Sequence, residues 1–149
     1  MEIKRESYLQ QLIAYRFDGL VKVITGIRRC GKSYLLKNIY RDYLLQNGVK
    51  EEQIITIELD LAKDIKYRNP LTLSSYVREK VEGSKEEFYL FVDEIQMSDE
   101  VVNPYNEGGK KITFYDALND LRSLSNLDVY VTGSNSKMLS SDILTEFRG

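Results

Sequence analysis

Gly26-Ile27-Arg28-Arg29-Cys30-Gly31-Lys32-Ser33 matches the pattern G-x-x-x-x-G-K-[ST] at every fixed position. The surroundings agree with the motif. Val21–Thr25 reads VKVIT, a short β-rich run leading into the loop. From Lys32 to Gln46, Leu35, Leu36, Ile39, Tyr40, Tyr43 and Leu44 recur at i, i+3 and i+4, which predicts a helix. Strand, glycine loop and helix together separate a phosphate loop from an ordinary glycine turn ahead of a helix. Gly26 and Gly31 carry no Cβ, so the backbone can turn tightly and approach a ligand. The N–H groups from Gly26 to Tyr34 are then expected to form an anion cradle, through Ile27, Arg28, Arg29, Cys30, Gly31, Lys32 and Ser33. Lys32 is expected to reach the outer phosphate oxygens, and Ser33 to place its hydroxyl on the Mg²⁺ that bridges them.

A length of 149 residues fits one domain, with 42% apolar and 30% charged residues, as in ordinary water-soluble proteins. The net charge of −2 supplies no global field toward nucleic acid or membrane. Residues 1–50 are nonetheless basic, with 10 of the 21 Lys/Arg and only 4 of the 23 Asp/Glu. The phosphate loop accounts for part of that asymmetry. The chain has no histidine, which excludes imidazole acid–base catalysis and imidazole metal ligation. Its single cysteine, Cys30, excludes an internal disulfide and fits a reducing cytoplasm. Cys30 lies among Arg28, Arg29 and Lys32, where positive charge favours a thiolate, but a tolerated small residue is the simpler reading. No apolar run reaches transmembrane length, so no membrane is expected as a partner.

Along the chain, residues 6–16 read as a short amphipathic helix, Asp18-Gly19 as a turn, and Gly48 as the left-handed cap after the loop helix. Ile54–Leu59 and Phe88–Val92 read as strands, separated by a polar loop over 60–70 and a helix over 71–83. Residues 98–112 carry Asn103-Pro104 and Gly108-Gly109 and read as an excursion with room for a hairpin. A helix is predicted over 114–127, a fourth strand over 128–132, and a last helix from Met138, Leu139, Ile143, Leu144 and Phe147. Alternating strands and helices predict an α/β fold with a parallel sheet and ligands at the carboxyl ends of the strands.

Two further constellations meet at that end. Phe88-Tyr89-Leu90-Phe91-Val92-Asp93-Glu94 is an apolar strand ending in Asp-Glu, the Walker B pattern. Alone it is weak, since acidic residues commonly end strands in solvent; downstream of a full phosphate loop it is strong. Asp93 is expected near the Mg²⁺, and Glu94 to orient and deprotonate an attacking water. A base beside the metal suits attack by water better than transfer to an acceptor. The fourth strand runs on into Gly133-Ser134-Asn135, where Asn135 first, and Ser134 second, could touch the terminal phosphate or the water. Both also suit capping of the next helix. Arg28 and Arg29 could contact phosphate or a neighbouring subunit, and Arg148 could serve as an arginine finger toward another subunit.

GIRRCGKS, FVDEIQ and VTGSNSKML, in this order, resemble the AAA-type ATPases of the prokaryotic AAA_14 group, from about Tyr8 to Gly149. The resemblance implies a three-layer α/β/α P-loop NTPase fold of the AAA/ASCE type with sheet order 5-1-4-3-2. It also implies ATP as ligand, Mg²⁺ as cofactor and ATP hydrolysis coupled to conformational change. Such proteins usually carry a further C-terminal domain, DUF4143. With four strands in view, residues 1–149 are therefore expected to form a truncated ATP-binding portion, the fifth strand following Gly149 and leaving one edge open. A homo-oligomer, and a protein or DNA partner engaged through a missing C-terminal region, are the partners to expect. The alternative is a nucleotide-switched binding module with little turnover.

Overall fold

A computed structural model describes residues 2–25, 29–133 and 144–148, with residues 2–6, 29, 30, 32 and 144–148 described by backbone alone. Five parallel strands form one sheet: β1 (Val21–Thr25), β2 (Ile54–Glu58), β3 (Phe88–Asp93), β4 (Leu127–Gly133) and β5 (Leu144–Arg148). Their spatial order is β2-β3-β4-β1-β5, the expected order 5-1-4-3-2 read from the other edge. The helices are α1 (Glu2–Ala14), α2 (Arg29–Tyr34), α3 (Arg41–Gln46), α4 (Pro70–Val81) and α5 (Phe114–Leu121), with a π-helical stretch Leu35–Tyr40 between α2 and α3.

The fifth strand corrects the sequence reading. It belongs to this chain and pairs with β1 from Val21–Leu144 to Thr25–Arg148. Leu144 and Phe147 fit a helical spacing on paper. Pairing with β1, whose other edge is already taken by β4, overrides that local pattern and covers the edge expected to be open.

β1, β3 and β4 are buried along their whole length, so alternation sorts their residues between two covered faces rather than between core and solvent. One face is aliphatic. Val21, Val23, Ile55, Ile57, Leu90, Val92, Val129 and Val131 pack against Leu73, Val77 and Val81 of α4 and Ala117, Leu118 and Leu121 of α5. Asn69 caps α4 through its side chain, and Thr113 and Asp116 form a capping box at α5. α5 stops at Leu121 rather than running to Leu127. Asn126 instead turns its amide to the carbonyls of Val81, Ser84 and Glu86, which releases Leu127 into β4.

The opposite face packs Ile24, Tyr89, Phe91 and Tyr130 against Leu12 of α1 and against Leu35, Leu36, Tyr40 and Leu44 of the loop helix. It also buries charge. Lys22, fully buried, donates to Asp128 at 2.6 Å and to Asp18 at 2.9 Å. Asp128 accepts further from Tyr130 Oη–H at 2.5 Å and Phe17 N–H at 3.0 Å. The Tyr130 hydroxyl is thereby committed as donor, so Tyr40 donates to it. Burial first, then the neighbouring Tyr40 phenol and the Asp128 carboxylate, push the Tyr130 phenol far above the usual tyrosine range. Residues 60–70, read as a loop, hold 3-10 turns over Ala62–Arg68. The excursion 98–112 is closed by an antiparallel bridge between Val101 and Ile112.

Candidate functional site

Alternation in β3 puts Asp93 on the same face as Tyr89 and Phe91, opposite the loop helix. Asp93 is 5% exposed. The Ser33 hydroxyl donates to both of its oxygens, at 2.8 Å to Oδ1 and 3.0 Å to Oδ2. The motif serine and the strand-end acid, 60 residues apart in sequence, are therefore side by side. Two residues given no role by the motif reading complete the shell of Asp93. Thr132 of β4, fully buried, donates to Oδ1 at 2.5 Å. Lys37, one helical turn beyond Ser33, donates to Oδ2 at 3.1 Å.

Glu94 follows in a left-handed backbone conformation, φ 60° and ψ 57°. That turn lets its N–H donate to Thr132 Oγ1 at 2.9 Å. Its Oε1 accepts from Gln96 Nε2 at 2.5 Å, which fixes the direction of the carboxylate. Thr132 thus ties both acids of the Asp-Glu pair to β4.

The adjacent strand supplies a third carboxylate. Glu58 ends β2 in register with Asp93. Its Oε2 accepts from Lys37 at 2.5 Å and its Oε1 pairs with Lys63 at 3.2 Å. The Lys37 bond holds the Glu58 carboxyl below the ordinary carboxylate range; partial burial opposes this and Lys63 adds to it. For Lys37, burial works to lower the pKa, and the bonds to Glu58 and Asp93 outweigh it, leaving the ammonium raised.

The remaining expected residues divide plainly. Gly26, Ile27, Arg28, Ser134 and Asn135 lie outside the described residues, as does the predicted helix up to Ile143. Arg29, Cys30 and Lys32 are placed by backbone in α2, and Arg148 by backbone in β5, beside Thr25. Gly31 lies in the first turn of α2, and a Cβ there would meet no atom of the described residues within 4 Å. Tyr34 is 45% exposed, on the outside of that turn. The hydroxyl oxygen of Ser33 and the buried carboxylate of Asp93 form a donor set suited to a hard cation such as Mg²⁺. Thr132 and Gln96 fall within VTGSNSKML and FVDEIQ without an assigned role, and Lys37 and Glu58 fall outside the motifs. Glu58 had a legible signal, an acid closing an apolar strand as Asp93 does. Thr132 had another, a polar residue in phase with Tyr130.

Comparison with known proteins agrees with this geometry. Two proteins, from Haemophilus influenzae and Methanocaldococcus jannaschii, both named only as uncharacterized, are 37% identical over 147 residues and 32% identical over 133 residues. These matches take in 99% and 87% of the chain, but 33% and 24% of those proteins' lengths. The fold is similar to a chain in the structure of Drosophila ORC bound to DNA, with TM-score 0.61 and 13% identity, covering 97% of this chain and 89% of that one. It is similar also to Caenorhabditis elegans PCH-2, with TM-score 0.57 and 16% identity, covering 94% and 39%. The family AAA_14, described as an AAA domain, matches residues 18–149. With a phosphate-loop signature, a five-stranded parallel sheet in the order β2-β3-β4-β1-β5 and the Ser33–Asp93 pair at its carboxyl end, the chain belongs to the AAA_14 family of AAA domains.

Proposed function

We propose that residues 1–149 form an ATP-binding domain that binds ATP with Mg²⁺ and hydrolyses it, turnover being coupled to a change of conformation. The observation that carries the reading is the Ser33 hydroxyl 2.8 Å from the buried Asp93 carboxylate, in the helix α2 that begins within the GIRRCGKS motif. In this reading the backbone of residues 26–34 cradles the phosphates, and Lys32 adds its charge to their outer oxygens. Ser33 and Asp93 hold Mg²⁺, which would neutralise phosphate charge as it develops. Glu94 takes a proton from the attacking water at its carboxylate, in a direction set by Gln96. Asn135, and Ser134 as second choice, sense the terminal phosphate.

Phosphate release from Mg·ATP is the test, wild type against Glu94→Gln. Turnover is expected to fall by about 10²-fold or more, with ATP affinity kept. Lys32→Ala and Asp93→Asn are expected to weaken Mg·ATP binding itself. Failure of the wild type to bind Mg·ATP would overturn the proposal.

A nucleotide-operated switch with negligible turnover is the second reading. It is favoured by one observation: Glu94 Oε1 is already engaged by Gln96, so a base held in that way can report occupancy without deprotonating water. Near-zero phosphate release with tight Mg·ATP binding, unchanged in Glu94→Gln, would select it. DNA binding through these residues has weaker support, since the net charge is −2.

A further inference from the structure

We infer that Lys37 is a resident counter-cation of the metal site: it neutralises Asp93 and Glu58 in the metal-free protein and retreats onto Glu58 when Mg²⁺ arrives with the nucleotide. The inference rests on the proposed Mg·ATP reading of the site.

Glu58 and Asp93 end neighbouring strands in register, and Lys37 Nζ lies between them, 2.5 Å from Glu58 Oε2 and 3.1 Å from Asp93 Oδ2. Two carboxylates so placed repel unless a cation separates them. Both oxygens of Asp93 are already occupied, Oδ1 by Ser33 and Thr132 and Oδ2 by Ser33 and Lys37. A cation reaching Asp93 must therefore displace a donor. Ser33 is its expected co-ligand and stays. Thr132 is fully buried in β4 and also accepts from Glu94 N–H, so it cannot withdraw. Lys37 sits at the end of a long flexible side chain, 28% exposed, and its bond to Glu58 is the shorter of its two. Lys37 is therefore the donor that leaves, and Glu58 is where it goes. Lys63, 58% exposed, holds the other oxygen of Glu58 and keeps that acceptor in place.

This makes Lys37 and Glu58 positioning residues with opposite signatures. While Lys37 is on Asp93, a divalent cation alone meets a compensated carboxylate pair. The phosphates of the nucleotide supply the missing negative charge, so metal and nucleotide enter together.

The test is Mn²⁺ binding followed by loss of the free-ion electron paramagnetic resonance signal, with and without ADP, in wild type, Lys37→Met, Lys37→Arg and Glu58→Gln. Without nucleotide, Lys37→Met is expected to bind Mn²⁺ about tenfold more tightly than wild type, since one charge a few ångströms away is worth about one to three pKa units. Lys37→Arg is expected to behave as wild type. Glu58→Gln removes the retreat and is expected to weaken Mn·ADP binding by several-fold. A Lys37→Met affinity no greater than wild type, or a Glu58→Gln shift in the same direction as Lys37→Met, overturns the inference. A purely structural ion pair would move both variants the same way. Should Lys37→Met fail to fold, the wild-type ammonium decides. Its ¹H–¹⁵N resonance, assigned with Lys37→Arg, must move on adding Mg·ADP and not on adding ADP with a chelator; an unmoved signal refutes the displacement. Absence of Mn·ADP binding in wild type would instead sink the functional reading, and the nucleotide-free gain in Lys37→Met would still be measured on its own.

Discussion

The two faces of the sheet are built on different principles. On the α4–α5 face, Val21, Val23, Leu90, Val92, Val129 and Val131 meet leucines and valines, and each side chain contributes through its own buried area. On the loop-helix face, β4 presents Asp128, Tyr130 and Thr132 in phase, and each is tied to other elements: Asp128 to Lys22 and Phe17, Tyr130 to Tyr40, Thr132 to Asp93. The aliphatic face holds the layers together with parts that can be exchanged singly. The polar face fixes positions, and its parts depend on one another. The site lies at the end of the second face, where Asp93 and Thr132 extend the same polar column.

The sharpest way to break this contrast is Asp128→Ala, which leaves the buried Lys22 with Asp18 alone. A loss of about 3–5 kcal/mol is expected in urea unfolding, and the double variant Lys22→Met with Asp128→Ala should lose less than the single one. Equal or additive losses would mean the network is not a unit. Next is Leu73→Ala on the other face, fully buried, with about 2–5 kcal/mol lost and nucleotide affinity of the folded protein unchanged. Thr132→Val keeps shape but withdraws a donor from Asp93 and an acceptor from Glu94 N–H. About 1–3 kcal/mol of stability is expected to go, together with Mg·ATP affinity; a stability loss with unaltered binding would separate the column from the site.

The smallest effect concerns the helix pair over the aliphatic face. Asp120 of α5 accepts from Ser74 and Arg78 of α4, at 2.6 Å in each of its shorter bonds. Burial alone would raise its pKa, and the Arg78 and Ser74 bonds outweigh that and lower it below 3.8. A depressed folded value contributes stability above the unfolded value and loses it as pH falls through the folded one. With its side chain 42% exposed, solvent screens the pair, and Asp120→Asn is expected to cost about 0.5–1 kcal/mol at neutral pH. The difference from wild type should stay flat down to about pH 5 and vanish below the ordinary aspartate range.

What was legible in the sequence is what chemistry fixes locally. The phosphate loop needs glycines and Lys-Ser at set spacing, so Ser33 and its strand and helix could be read directly. Asp93 was legible because an apolar strand ending in Asp-Glu, downstream of a complete phosphate loop, is the Walker B pattern. β5 was not, because Leu144 and Phe147 satisfy a helical period and become a strand only through β1. Glu58 and Thr132 were legible only as polar positions in apolar strands; their partners, like those of Lys37 and Gln96, depend on strand register and on one helical turn, neither of which a motif records. The lower column was hidden as well: in strands buried on both sides, Lys22, Asp128 and Tyr130 do not stand out by alternation.

The left-handed turn at Glu94 sets backbone preference against chemistry. At φ 60° a glycine or asparagine is at ease and a glutamate is strained by about 1 kcal/mol. A library randomised at this position and sorted for resistance to proteolysis should therefore drift to Gly or Asn, whereas one sorted for turnover should return to Glu. The residue each selection recovers would record, in a single codon, whether the position is maintained for the fold or for the work it does.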